Sequence, residues 1–188
     1  MLLSDELVTA QTMSWVKDFI ITQNVCPFAK REVENNSVRY VVLRSKKMDV
    51  ALEELMAEIQ WLDQTPETET TLIIFPSLFK SFHSYLDFVE MAENLMFDQG
   101  CEGVYQLATF HPDYCFSGTE PDDVSNYTNR SPYPMLHLLR EASLDKAIEF
   151  YGDTTEIPNN NIEKMDQLGK QKLDAMFESC MKTNIESE

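Results

Sequence analysis

Positive charge is what this chain has least of. Its 188 residues carry 15 Lys and Arg against 32 Asp and Glu, a formal net charge of -17, and no basic run or basic amphipathic helix gathers the few cations into a patch. A field of that sign repels phosphate backbones and anionic lipid, so neither nucleic acid nor a membrane surface is expected as a partner. Cysteine is sparse too. The four, at 26, 101, 115 and 180, show no CxxC spacing and no paired clustering, which predicts reduced thiols rather than a disulfide framework or a zinc knuckle. No hydrophobic run approaches the roughly 20 residues that a membrane-spanning helix needs. The opening residues, MLLSDELVTAQTMSWVKDF, are acidic and amphipathic, without the basic region or small-residue cleavage site of a secretory signal. A cytoplasmic protein is expected.

What is present is enough for one core. A chain of 188 residues that is 43% hydrophobic fits a single domain, placed at 1–182, with a frayed acidic tail at 183–188. Ser4 or Asp5 can cap a first helix carrying Val8, Trp15 and Phe19, ending near Asn24 before Cys26 and Pro27. Val38 to Leu43 reads as a strand, Asp49 to Leu62 as a helix, and Thr71 to Phe75 as a strand covered on both faces. Ser81 then caps a helix running to Gly100, and Val104 to Phe110 is a third strand. Two strand-helix-strand units in series predict an α/β fold: a small, mostly parallel sheet with helices on its faces. The third strand is followed by a long polar loop to Tyr133, and loops of that length in a compact domain are usually functional or disordered. Tyr114, Phe116, Tyr127 and Tyr133 oppose disorder. Pro132 and Pro134 fit the first turn of a helix to about Ala142, Ser143 the cap of the next, and Pro158 the start of a last long helix ending near Cys180.

The stretch from His111 to Leu144 holds two of the three histidines and two of the five arginines, and no lysine. Ligands of open parallel sheets bind beyond the carboxyl ends of the strands, where His111 and the start of the loop lie. Asp123, Asn126, Asn129, Arg130 and Ser131 could then form an anion site, with Arg130 and a helix start at Ser131 as its positive elements. The rival reading gives the asparagines to Asx turns and pairs Arg130 with Asp122 or Asp123. On the expected helix, His137, Arg140 and Glu141 share a face opposite Met135, Leu138 and Leu139. Covered by the loop, that trio would complete a pocket with His111, where an imidazole can serve as general acid or base; uncovered, it is a solvated face. Cys26, followed by Pro27, Phe28, Ala29, Lys30 and Arg31, could be a thiolate at the start of a helical turn, or an inert buried thiol. The pairs His111 with Cys115 and His137 with Glu141 have i+4 spacing, but with no CxxC or HExxH signature no metal and no cofactor is predicted. His83 reads as structural.

The segments CPFA at 26–29, FHPDYCFSG at 110–118 and DDVSNYTNRSPYPMLHLLREASL at 122–144 resemble a bacterial family catalogued as domain of unknown function 1415. The likeness runs from about Leu7 to Leu173 and implies a stand-alone bacterial protein. It assigns no reaction, so the site residues rest on their own chemistry. They predict a pocket for a small anionic molecule, phosphate or carboxylate. His111 or His137 would be its proton-transfer group, and Arg130 with Arg140 its clamps. Two alternatives stay open, thiol chemistry at Cys26 and a non-catalytic interaction module.

Overall fold

The computed structural model describes residues 3–183, so that the acidic tail from 184 on lies outside it. Four strands form one mixed sheet in the order β1 (Val38–Val42), β2 (Thr70–Ile74), β4 (Met135–Arg140), β3 (Tyr105–Phe110). The parallel pair is β1 with β2; β4 runs antiparallel to both β2 and β3. The α/β class therefore holds, while a mostly parallel sheet does not. Both crossovers are present, α3 (Met48–Gln64) between β1 and β2 and α4 (Phe82–Asp98) between β2 and β3. What separates β2 from β3 is a strand that periodicity assigned to a helix.

The reason lies in MLHLLR itself. Residues 135, 137 and 139 face one side of the sheet and 136, 138 and 140 the other, and since both sides are covered the run shows no polar face. A short apolar run buried on both sides cannot be told from a helical segment by periodicity. Its strand state is set by partners far along the chain: Leu72 stands opposite His137 on one side and Ala108 on the other. Pro134 fits immediately before the strand, where its missing N–H costs nothing, and its carbonyl accepts from Phe75 N–H at 2.9 Å.

Alternation along the strands sorts the core into two layers. On one face Ile73, Phe75, Leu136 and Leu138 pack against α3 and α4 through Leu55, Leu62, Tyr85 and Phe88. On the other, Leu72, Ile74 and Met135 meet Val8, Trp15 and Phe19 of the N-terminal helix, Tyr127 and Tyr133 of the loop, and Met165 and Leu173 of the C-terminal helices. Ser4 caps α1 (Asp5–Trp15), its hydroxyl accepting from Leu7 N–H. α1 continues into a wider π turn, Val16–Ile21. A short α2 (Ala29–Glu34) follows, and α5 (Glu141–Tyr151) starts at the residue after β4. The expected single C-terminal helix is two, α6 (Ile157–Leu168) and α7 (Lys170–Met181), broken at Gly169 with φ 71° and ψ 157°, a conformation that only glycine adopts freely.

Candidate functional site

The polar loop bonds inward. Asn126 is fully buried; its Oδ1 accepts from Phe116 N–H and from the Thr119 hydroxyl, each at 2.9 Å, and its Nδ2 donates to the Glu120 carbonyl. Asp123 caps a 3-10 turn, Val124–Thr128, by accepting from Ser125 N–H at 2.9 Å. Asn129 donates to the Thr109 carbonyl, and the Ser131 hydroxyl donates to the Tyr133 carbonyl, with no helix start there. Arg130 donates from Nε to the Tyr114 carbonyl and from Nη2 to the Pro121 carbonyl, and stacks on Tyr127 at 4.6 Å. These side chains fold the loop, and the Arg130 guanidinium directs two of its five N–H groups to backbone oxygen of the loop itself.

His111 and His137 do not meet. His111 packs against Phe82 and Tyr85 on the α4 face. Its Nδ1 accepts from Asp113 N–H at 2.9 Å, which leaves Nε2–H to donate to the Phe79 carbonyl at 2.8 Å. Burial lowers its pKa, against the opposing pull of that carbonyl. The bond also pins Phe79, whose φ of 56° is rare for a bulky side chain. With both ring nitrogens bonded to backbone, His111 is placed to hold structure. Convergence of Arg130, His111 and His137 on one pocket fails for a topological reason: as a strand residue, His137 points to the opposite face of the sheet.

On that face lies a cavity of about 660 Å³. Its floor is the sheet, through Val38, Thr70, Leu72, Ala108, Phe110, His137 and Leu139. Trp15, Val16 and Ile20 from α1 and the π turn form one wall, and Val25, Cys26, Phe28, Ala29 and Val33 a second. Phe116 and Thr119 of the loop, Leu144 and Ala147 of α5, and Ile157 and Ile162 of α6 line the rest of it. Of the residues singled out from sequence, His137, Cys26, Asn129 and Arg140 line it; His111, Asp123, Asn126, Arg130, Ser131 and Glu141 do not.

His137 is the polar centre of the floor. The Thr70 hydroxyl lies 2.6 Å from His137 Nε2 and 2.6 Å from the Leu138 carbonyl. One hydroxyl proton cannot serve both, so Thr70 donates to the carbonyl and accepts from Nε2–H, which fixes the tautomer. Nδ1 is left with a lone pair and no partner among the described residues. His137 itself lines the cavity. Burial pushes the His137 pKa down to about 4, so the ring is neutral at physiological pH and a weak base. Among the described residues the Trp15 indole N–H is also buried without a partner, on a residue 2% exposed.

Arg140 lines the cavity but lies on the other side of its strand from His137. Its guanidinium donates to the carbonyls of Leu62, Thr65 and Thr68 and to the Tyr105 hydroxyl. None of those four residues lines the cavity. Glu32 and Glu69 do line it, accepting hydrogen bonds of 2.5 Å from Ser37 and Ser143 respectively. Among the described residues that line the cavity there are two carboxylates and no cation whose head group is left free, so the cavity gives no support to the anion clamp expected from sequence. Among the described residues no three His, Cys, Asp or Glu side chains are grouped to hold a metal. No described helix is long and apolar enough to cross a membrane.

Cys26 lines the wall, where burial raises its pKa despite the N–H groups of Phe28 and Ala29 that favour the thiolate. A protonated thiol is a poor nucleophile. At pH 7.5, iodoacetamide is expected to alkylate Cys26 more slowly than an unstructured cysteine, with the rate still climbing above pH 9. Alkylation at least as fast as in a peptide, checked by peptide mass spectrometry, would restore the thiolate reading.

Residues 7–175 match the family model described as "Protein of unknown function (DUF1415)". The chain belongs to that family. No curated protein and no solved structure matches it. Most of the cavity residues were missed in the sequence because they come from stretches scattered between Trp15 and Ile162. One signal was legible, a lone histidine inside the apolar run MLHLLR.

Proposed function

We propose that this DUF1415 protein binds a small, largely apolar molecule between the sheet and the α1, α5 and α6 layer. One observation carries the proposal: a largely apolar cavity of about 660 Å³ has, at its floor, an imidazole nitrogen without a partner among the described residues, while the Thr70 hydroxyl beside it is satisfied. Ligand sites are typically of this size and lined by apolar and aromatic side chains with a few placed polar atoms. His137 acts there as a neutral hydrogen-bond acceptor, because a ring with a pKa of about 4 takes up few protons at pH 7. Binding is favoured over acid-base catalysis on that ground.

Nile red, an uncharged dye, is the probe. Saturable fluorescence enhancement is expected with the native chain. Ala108 faces the cavity beside His137 in the strand register, so Ala108→Phe is expected to weaken dye binding at least tenfold while urea unfolding moves by no more than about 1 kcal/mol. Ala147→Phe narrows the cavity from α5 and should act likewise. Undiminished binding to both filled variants would refute occupancy of this cavity.

A further inference from the structure

Resting on that cavity reading, we infer that the occupant is an organic cation, a protonated amine on an apolar or aromatic body. The wall keeps its donors to itself. Thr70, Thr119, Ser125, Thr128 and Ser143 line the cavity, and each gives its one hydroxyl proton to an oxygen of the chain. The Asn129 and Asn161 amides donate to the Thr109 and Val25 carbonyls. Arg140 directs its guanidinium to Leu62, Thr65, Thr68 and Tyr105, none of which lines the cavity. The unpartnered Trp15 indole N–H has no accessible surface and so offers nothing to a ligand.

What is left over accepts. Glu32 and Glu69 each take one side-chain hydroxyl, from Ser37 and Ser143, although a carboxylate has room for about four hydrogen bonds. Among the described residues Glu69 has no ion-pair partner, and Glu32 meets only the exposed Arg31, at 3.9 Å. His137 Nδ1, with no partner among the described residues, calls for a donor independently of the carboxylates. The carboxylates decide the charge of that donor. A ligand entering the cavity displaces water around them, and a carboxylate stripped of water is costly unless a positive charge pairs it. An alcohol or amide donates a hydrogen bond but leaves the charge uncompensated, whereas an ammonium supplies donors and charge together. Phe28, Phe110 and Phe116 in the same wall suit an aromatic body behind that head. A net charge of -17 draws such a molecule in and turns an anion away.

Displacement of Nile red from the native chain by 2-phenylethylamine, 2-phenylethanol and 3-phenylpropionate at pH 7.5 compares a cation, a neutral donor and an anion on nearly the same body. The amine is expected to displace the dye at a concentration about tenfold or more below that of either rival. In each variant the amine is scored against the alcohol, so that a general weakening of the site cancels. Glu69→Gln and Glu32→Gln are each expected to cut that ratio about threefold or more, and the two together to remove it. Glu90→Gln, an exposed change of the same charge on α4 across the sheet, should leave it unchanged. The alcohol or the carboxylate displacing the dye as well as the amine overturns this inference and leaves the cavity reading intact. An amine advantage that survives the double substitution, or falls equally in Glu90→Gln, overturns it as well. Absence of dye binding to the native chain defeats the cavity reading itself.

Discussion

Replacing Arg140 by methionine is expected to lower the unfolding free energy by about 3 kcal/mol, from several charge-assisted hydrogen bonds lost together. The guanidinium joins three elements. Nη2 reaches the Leu62 and Thr65 carbonyls at the end of α3, Nε reaches Thr68 before β2 at 3.1 Å, and Nη1 reaches the Tyr105 hydroxyl on β3 at 3.0 Å. The last carbonyls of a helix have no partner within it and carry its negative end, so a cation there completes bonds the helix cannot make for itself. Methionine keeps the apolar stem, so the loss measures the head group. Lysine should recover less than half of it, because one ammonium cannot reach four acceptors set around a planar fork. Nile red binding by Arg140→Met should stay within about twofold of native under conditions where the variant is folded. Urea unfolding decides: a change below about 0.5 kcal/mol would remove Arg140 as the tie between β4 and α3.

Acid is expected to destabilise the fold through His137. Its ring titrates near its ordinary value of about 6.5 in the unfolded chain and at about 4 in the folded one. Above pH 6.5 neither state holds the proton and the group contributes no pH dependence. Between 6.5 and 4 the unfolded state binds a proton that the folded state refuses, so stability falls as pH is lowered through that window and levels off below it. The full difference is worth about 3 kcal/mol. His111, also lowered, adds in the same direction. The hydrogen-bonded carboxylates of Asp122, Asp123 and Asp153 titrate below their ordinary values, so most of their loss comes at lower pH. In His137→Phe the decline between pH 6.5 and 4 should shrink by more than half. A decline as steep as in the native chain would mean that the imidazole is protonated in the folded state.

The contrast between these two residues shows what the chain discloses and what it hides. Thr71 to Phe75 and Val104 to Phe110 were readable because a covered strand leaves a short apolar run between turn signals; α3 and α4 were readable because each keeps an apolar stripe at helical spacing. His137 and Arg140 were misplaced together. At helical spacing they share a face, whereas in β4 an odd separation puts them on opposite sides, one in the cavity and one at the end of α3. What made 135–140 a strand was the pair of free edges on β2 and β3, a tertiary fact that local pattern does not carry. The loop was recognised as ordered from its aromatics, yet its polar side chains were given to a ligand. Asn126 and Arg130 instead supply the hydrogen bonds that a chain without regular structure needs in order to be buried. The cavity was invisible for a different reason. Trp15, Cys26, Phe110, His137, Ala147 and Ile162 have no spacing in common.

Occupation of the cavity beside His137 is tested most directly by following the two tryptophan indole N–H signals in a 1H–15N spectrum during titration with Nile red. Trp15 lines the cavity, whereas Trp61 packs on the opposite face under Arg39, 4.0 Å from its guanidinium carbon. The Trp15 signal is expected to shift and saturate with the dye while that of Trp61 stays within its linewidth. A saturating shift of Trp61 with Trp15 unmoved would place the ligand elsewhere and contradict a binding site on this face of the sheet.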